Sequence, residues 1–213
     1  MSSNFTFARL HHKSMIRIKS TWFKEGREKT PKELAGAVAF NAWRIAENAL
    51  KNMRRADFEV AIGEQYFAFL SEFLVFLVQV ADRIAYISFT AEIRHEFTSE
   101  LANRIAATLA GNQSEFLGGE VAEYKGNFIE RLNQRAEEYA EFEYGEKGPS
   151  FSFMRFLAHC MVKVVDEQDK AWVIDQMMAA EAPEAVEMVE KAMRGFLQTE
   201  PKRRPSRNVI TAD

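Results

Sequence analysis

EQYFAFLSEFLVFLVQVADRIAY, residues 64 to 86, decides how the rest of the chain is read. It is apolar almost all the way round, yet Glu64, Glu72 and Asp82 interrupt it. A bilayer-spanning helix needs about 20 predominantly apolar residues in a row. Here the uncharged run beyond Glu72 lasts nine residues, 73–81. Glu72 would fall near mid-bilayer with no evident partner, so a membrane span is rejected. At about 100° per residue, Glu64, Gln65, Ser71, Glu72, Gln79, Asp82 and Arg83 gather within an arc of about 120°. The other two thirds of the surface is Phe, Leu, Val, Ile, Tyr and Ala, the reverse of a surface helix. The pattern predicts a helix covered on several sides, either central in its own bundle or packed against another subunit as well.

Two readings of the polar stripe stay open. It is the strip through which the helix meets water, or it faces inward, where each carboxylate needs a charged or hydrogen-bonding partner. For the second reading the sequence offers a counterpart. Ser152, Arg155, His159, Lys163, Asp166 and Lys170 share an arc of about 80° if their helix is continuous. Glu64, Glu72, Gln79 and Asp82 set against Arg155, His159 and Lys163 form a candidate polar seam that would fix register between helices or between subunits.

The flanking chain reads as helices. Thr30-Pro31-Lys32-Glu33 is a capping box with proline at the first helical position. The helix it opens extends to about residue 55, with Leu34, Val38, Ala42, Trp43, Ile45, Ala49, Leu50 and Met53 on one arc. Asp57 is the natural cap of the second helix, about 58–88. A third follows Thr90 with Ile93, Phe97, Leu101, Ile105 and Leu109 every four residues, stopped by GNQS at 111–114. A fourth spans about 119–143, its stripe being Val121, Tyr124, Phe128, Leu132, Ala136 and Tyr139. GEKGPS at 145–150 is the clearest break and a possible hinge. A fifth helix starts near 151, and DEQD at 166–169 either restarts it or lies within it. Pro183 opens the last, acidic on one side, with Val186, Val189, Met193 and Leu197 on the other.

Proline is absent from 32 to 148, which favours long helices over a turn-rich β-fold. The expected architecture is all-α: an antiparallel bundle of about six helices over residues 30–198 as one domain. An irregular basic arm (1–29) precedes it and a disordered tail (199–213) follows. The 213 residues carry a net charge of −3, unevenly spread. Residues 1–29 hold seven Lys/Arg against two Glu, a net +5, and residues 200–213 a net +2, leaving −10 for the body. One cysteine, Cys160, excludes an intrachain disulfide and points to a reducing compartment, the cytoplasm by default. No secretory apolar run opens the chain.

Chemistry-bearing motifs are sparse. Glu92-Ile93-Arg94-His95 matches the Glu-x-x-His element of di-iron helical bundles, but that site needs two such motifs and two further Glu. His11, His12 and His159 have no Glu three residues before them, and the arc that holds Glu92 and His95 is otherwise polar. No histidine pair has i, i+4 spacing, and a lone cysteine builds no structural zinc site. Cys160 follows His159 directly, which places the two side chains about 100° apart on a helix. Cys160 reads as a small buried apolar residue. LGGE at 117–120 lacks the rest of any phosphate-binding fingerprint. The arm mixes basic groups with Phe5, Phe7, Trp22 and Phe23, a weak basis for nucleic-acid binding beside an acidic body and a pI of 5.9.

The sequence therefore predicts no cofactor, no metal and no identifiable small molecule. The leading expectation is a cytoplasmic, non-catalytic helical protein that binds another protein or itself, a homodimer being favoured. The alternative is an enzyme, ligand binder or metal binder using the inward seam, with Glu72, Asp82 and His159 foremost.

Overall fold

Thr30 caps the first helix as its sequence requires. Its hydroxyl accepts from Glu33 N at 3.2 Å, and its own N–H donates to Glu33 Oε2 at 3.1 Å. The computed structural model describes residues 30–197, so the expectations for 1–29 and 199–213 lie outside the described residues. From Thr30 the chain builds α1 (Pro31–Arg55), α2 (Glu64–Ser88), α3 (Ala91–Leu117) and α4 (Val121–Ala140). The two-residue strands β1 (Tyr144–Gly145) and β2 (Gly148–Pro149) follow, then α5 (Phe151–Val162). The last rod is continuous: α6 (Lys170–Gln176), a π-turn (Met177–Glu181) and α7 (Ala182–Leu197). The fold is the expected all-α bundle, and among the described residues no helix is long and apolar enough to cross a membrane.

α2 is the central helix. It touches α1, α3, α4, α5 and α7. Phe67 and every residue from Phe69 to Ala81 are buried. Its wide apolar surface is thus consumed within the chain. Phe69 stacks on Phe73 at 5.7 Å, Phe73 meets Phe76 edge-on at 6.1 Å, and Phe76 reaches Phe153 of α5 at 5.9 Å. Tyr139 of α4 lies 4.6 Å from Phe153 and 4.9 Å from Phe156. These rings join α2, α4 and α5 in one cluster.

Several boundaries differ from the sequence reading, each for a visible reason. α2 starts at Glu64 rather than 58, because Asp57 takes a left-handed backbone (φ 63°) and caps nothing. Residues 58–63 run as a tied loop instead. Phe58 and Val60 are buried, Val60 O accepts from Arg54 at 3.0 Å, and Glu59 N donates to Asp169 at 3.0 Å. α3 passes through Gly111 and ends at Leu117 before Gly118, whose φ of 79° suits only glycine well. The possible hinge at 145–150 holds the small antiparallel pair, Tyr144 opposite Pro149 and Gly145 opposite Gly148. DEQD breaks the fifth helix, with Glu167–Asp169 forming a 3₁₀ turn. Pro183 follows the π-turn rather than opening a separate helix. Ala182 N–H bonds Met177 O five residues back, and the register shifts where proline has no N–H to lose.

Phe76 is fully buried at the junction of α2, α4 and α5. Phe76→Ala is expected to cost about 3–5 kcal/mol, read from the urea midpoint at unchanged m-value. A loss under about 1 kcal/mol would contradict the packing described.

Candidate functional site

The polar stripe of α2 is divided. Glu64 is exposed, Ser71, Glu72 and Gln79 are buried, and Asp82 is half-buried. Glu72, only 6% exposed, meets two arginines of α4. Arg135 grips it at both oxygens, Nε to Oε2 at 3.0 Å and Nη2 to Oε1 at 2.9 Å, while Arg131 Nη1 stands 3.5 Å from Oε1. Arg135 also donates to Glu138 at 2.7 Å and lies over the Phe156 ring at 5.8 Å. Its hydrogen bonds to Glu72 hold the guanidinium firmly protonated. At the other end of α2, Asp82 takes a two-pronged contact from Arg94 of α3, with Nε at 2.9 Å, and a bond from the Thr98 hydroxyl at 2.7 Å.

The expected seam against α5 is therefore not the one the fold makes. Arg155, His159 and Lys163 are exposed. α5 turns Phe153, Leu157 and Met161 inward, and it meets α2 through rings. α3 and α4, not α5, cover the acidic arc. Three arginines supply what α5 was expected to supply, and two of them, Arg135 and Arg94, had a sequence signal. Phe128, Leu132, Arg135 and Tyr139 follow 4-3-4 spacing, so Arg135 occupies a core position of α4 in place of the expected Ala136, which is exposed. Arg94 sits just across the short α2–α3 connection from Asp82.

Cys160 and Tyr139 lie close enough to the Glu72 cluster to feel its charges. Burial, and then the Glu72 carboxylate, push the Cys160 thiol up to about 12. It stays protonated at neutral pH and is no nucleophile. Burial first, then the neighbouring Cys160 and Glu72, raise the Tyr139 phenol well above its ordinary range. Glu92 and His95 of the Glu-x-x-His match are exposed on α3. Among the described residues no three His, Cys, Asp or Glu side chains gather as metal ligands would.

Beside the Glu72 cluster lies a cleft of about 240 Å³ between α2, α3 and α4. Phe67, Leu109, Leu117 and Phe128 give it apolar walls, and Glu64, Ser71, Gln113, Asn127 and Arg131 give it polar ones. Arg131 belongs to both features, lining the cleft and reaching Glu72. Phe116 and Val121 stand 45% exposed at the α3–α4 corner that also carries Leu117, and the Phe116 ring lies 6.1 Å from Phe67 of the cleft wall.

Another buried carboxylate, Glu181, is one that the sequence reading does not single out. It is 3% exposed inside the π-turn. Asn52 of α1 (3.3 Å) and Gln176 (3.0 Å) donate to it, and among the described residues no Lys, Arg or His pairs with it. Burial raises its pKa, the nearby Glu184 adds to that, and the two amide bonds oppose it. Compared with family models, curated proteins and solved structures, the chain finds no match.

Glu72→Leu and Arg135→Leu are expected to couple. Each single change strands the other's charge, and the double mutant should be more stable than the sum of the singles by about 1–3 kcal/mol. The same cycle with Arg155→Leu should be additive within about 0.5 kcal/mol. Coupling of Glu72 to Arg155 but not to Arg135 would reverse the assignment of partners. For Glu181 the sign runs the other way from a salt-bridged acid. A raised folded pKa means its neutral form is favoured, so its contribution is complete below the ordinary value of 4.5 and declines as pH climbs through the raised pKa. Glu181→Gln, which stays neutral, should match the wild type in Tm near about pH 4 and exceed it once the pH has climbed through the raised pKa. A Tm difference that does not change with pH would exclude this.

Proposed function

We propose that this protein acts by binding protein surfaces, in the first place a second copy of itself, through the α2–α3–α4 cleft. The observation that carries the reading is a hole with knobs beside it. The cleft walls of Phe67, Leu109 and Phe128 lie next to Phe116 and Val121, which are both 45% exposed. A two-fold interface needs one patch to complement itself, and a hole flanked by projecting apolar side chains meets that requirement. Glu64 and Arg131 on the same cleft supply opposite charges that can pair across the two-fold axis.

Size favours this over a small-molecule site. Ligand pockets run about 300–1,000 Å³ and enclose most of the ligand, whereas this cleft holds about 240 Å³. That suits an anchoring aromatic side chain, the usual centre of an interface. Within the α2 stripe, Glu72 and Asp82 lack the unmet demand of a catalytic group, since Arg135 and Arg131 answer Glu72, and Arg94 and Thr98 answer Asp82. The enzyme or ligand-binding alternative keeps the cleft and Glu181, cation-free among the described residues. The apolar surface of α2 no longer argues for a partner, because the chain's own helices cover it. A single buried cysteine fits the reducing cytoplasm as the setting.

Sedimentation velocity on the full chain, from about 5 to 200 μM, tests the proposal. A reversible dimer is expected, weakened at least about tenfold by Phe116→Glu with Val121→Glu. A wild type that stays monomeric throughout, or a dimer indifferent to both changes, would sink it.

A further inference from the structure

The outer face of α5 carries a row that the fold leaves unanswered. Phe151, Arg155, His159 and Lys163 recur every fourth residue and are all exposed, on the side away from the buried Phe153, Leu157 and Met161. Phe151 is 62% exposed, and the Arg155 guanidinium lies 5.9 Å over its ring. Every other α-helix of the bundle joins an ion pair, whereas among the described residues α5 joins none. No acid occurs from 147 to 165, in a body whose net charge is −10. This is a local reversal of sign rather than a solvated face of mixed charge, and it draws negative groups toward it.

The row is also bounded. Glu143 and Glu146 stand exposed before it, and Asp166 and Glu167 after it. α5 has 12 residues, so the space between these acids is about 18 Å long. A nucleic acid carries its charge on past both ends of such a row. It would meet the flanking acids and the acidic body within the about 10 Å over which charges act in ordinary salt. A short acidic helix ends where the row ends. Carboxylates at every fourth position of that helix recur at about 6 Å, the same rise that separates Arg155, His159 and Lys163.

We propose that the outer face of α5 docks an acidic amphipathic helix of another protein, about three turns long, whose carboxylates meet Arg155, His159 and Lys163 and whose end apolar residue covers Phe151. Three observations converge on this occupant: the row has no carboxylate of its own, its spacing is that of a helix, and acids close it at both ends. Charge steers the encounter and fixes the register. Phe151 with Arg155 anchors it, since aromatic and arginine side chains carry much of the energy of interfaces. The guanidinium, laid on the ring by one face, keeps its N–H edge for a carboxylate. The surface is separate from the α2–α3–α4 cleft, none of whose lining residues belongs to α5.

Fluorescence anisotropy with the full chain tests it. The probes are a labelled, stapled helical peptide of about three turns with Glu at every fourth position and Leu at the end of the row, the same composition with its Glu residues moved off the row, and single-stranded oligo-dT. The in-register peptide is expected to bind at least about tenfold tighter than the shuffled one, and to lose at least about tenfold with Arg155→Glu plus Lys163→Glu. Both changes are at exposed positions and leave the core intact. Phe151→Ala should weaken binding by at least about threefold. Equal binding of the two peptides, or no binding by the wild type, would refute the docking. Tighter binding of oligo-dT would assign the row to nucleic acid and refute the helical partner. Loss of self-association in sedimentation on changing Arg155 and Lys163 would assign it to a second copy, with the same consequence.

Discussion

A carboxylate buried in the middle of the most enclosed helix constrains this structure more than any other group. Glu72 sits on α2, which is surrounded by five other helices, and is 6% exposed. An unpaired charge there would cost several kcal/mol. The chain meets the demand with Arg135, presented from a core position of α4 and braced on its far side by Glu138. That requirement limits how α4 can sit. Sliding it by one turn would move Arg135 off Glu72 and Tyr139 out of its ring cluster together. The second pairing, Asp82 with Arg94 and Thr98, does the same for the α2–α3 corner. Two charge pairs thus pin α2 to α3 and α4 where apolar packing alone would tolerate slippage.

The same geometry sorts the titratable groups into structural ones and free ones. Glu72, Asp82, Arg94 and Arg135 are consumed by one another. Cys160 and Tyr139, drawn into that neighbourhood, are held protonated by burial and by the cluster's negative charge. Glu181 differs, a buried acid met by side-chain amides at a π-turn, where the helix already departs from regular hydrogen bonding, much as buried Asp169 accepts from the Glu59 N–H. Exposed apolar side chains stand at both ends of α2, the cleft rim at one end and Tyr86, Ile87 and Ile93 at the other, and also at Phe151 and Trp172.

Much of the fold was legible in the residues, and the failures share a cause. The capping box at Thr30, the buried arc of α1 and the exclusion of a membrane span all follow from local periodicity, and all are found. The rejection of a Cys160–His159 pair held for the same reason, since adjacent helical residues diverge and one is buried while the other is exposed. The seam partner did not follow. The basic stripe of α5 and the arginines of α4 are equally plausible on a wheel, and the every-four reading of the fourth helix skipped the 4-3-4 line on which Arg135 lies. Asp57 misled because a strong capping residue type can instead occupy the left-handed conformation of a tied loop.

By itself, the sequence determined which elements form and which face of each is apolar, because those depend on residues within a turn or two of one another. It also determined that the polar stripe of α2 would be narrow. Only the tertiary structure decided that this stripe lies inside and that α3 and α4 answer it. Contacts such as Glu72 with Arg135 join residues 63 positions apart. Wheel geometry says which groups share a face, but not which neighbour that face will meet. That choice is settled when all the apolar faces are buried at once, and α5, with Phe153 and Phe156 to bury, had its own rings to place.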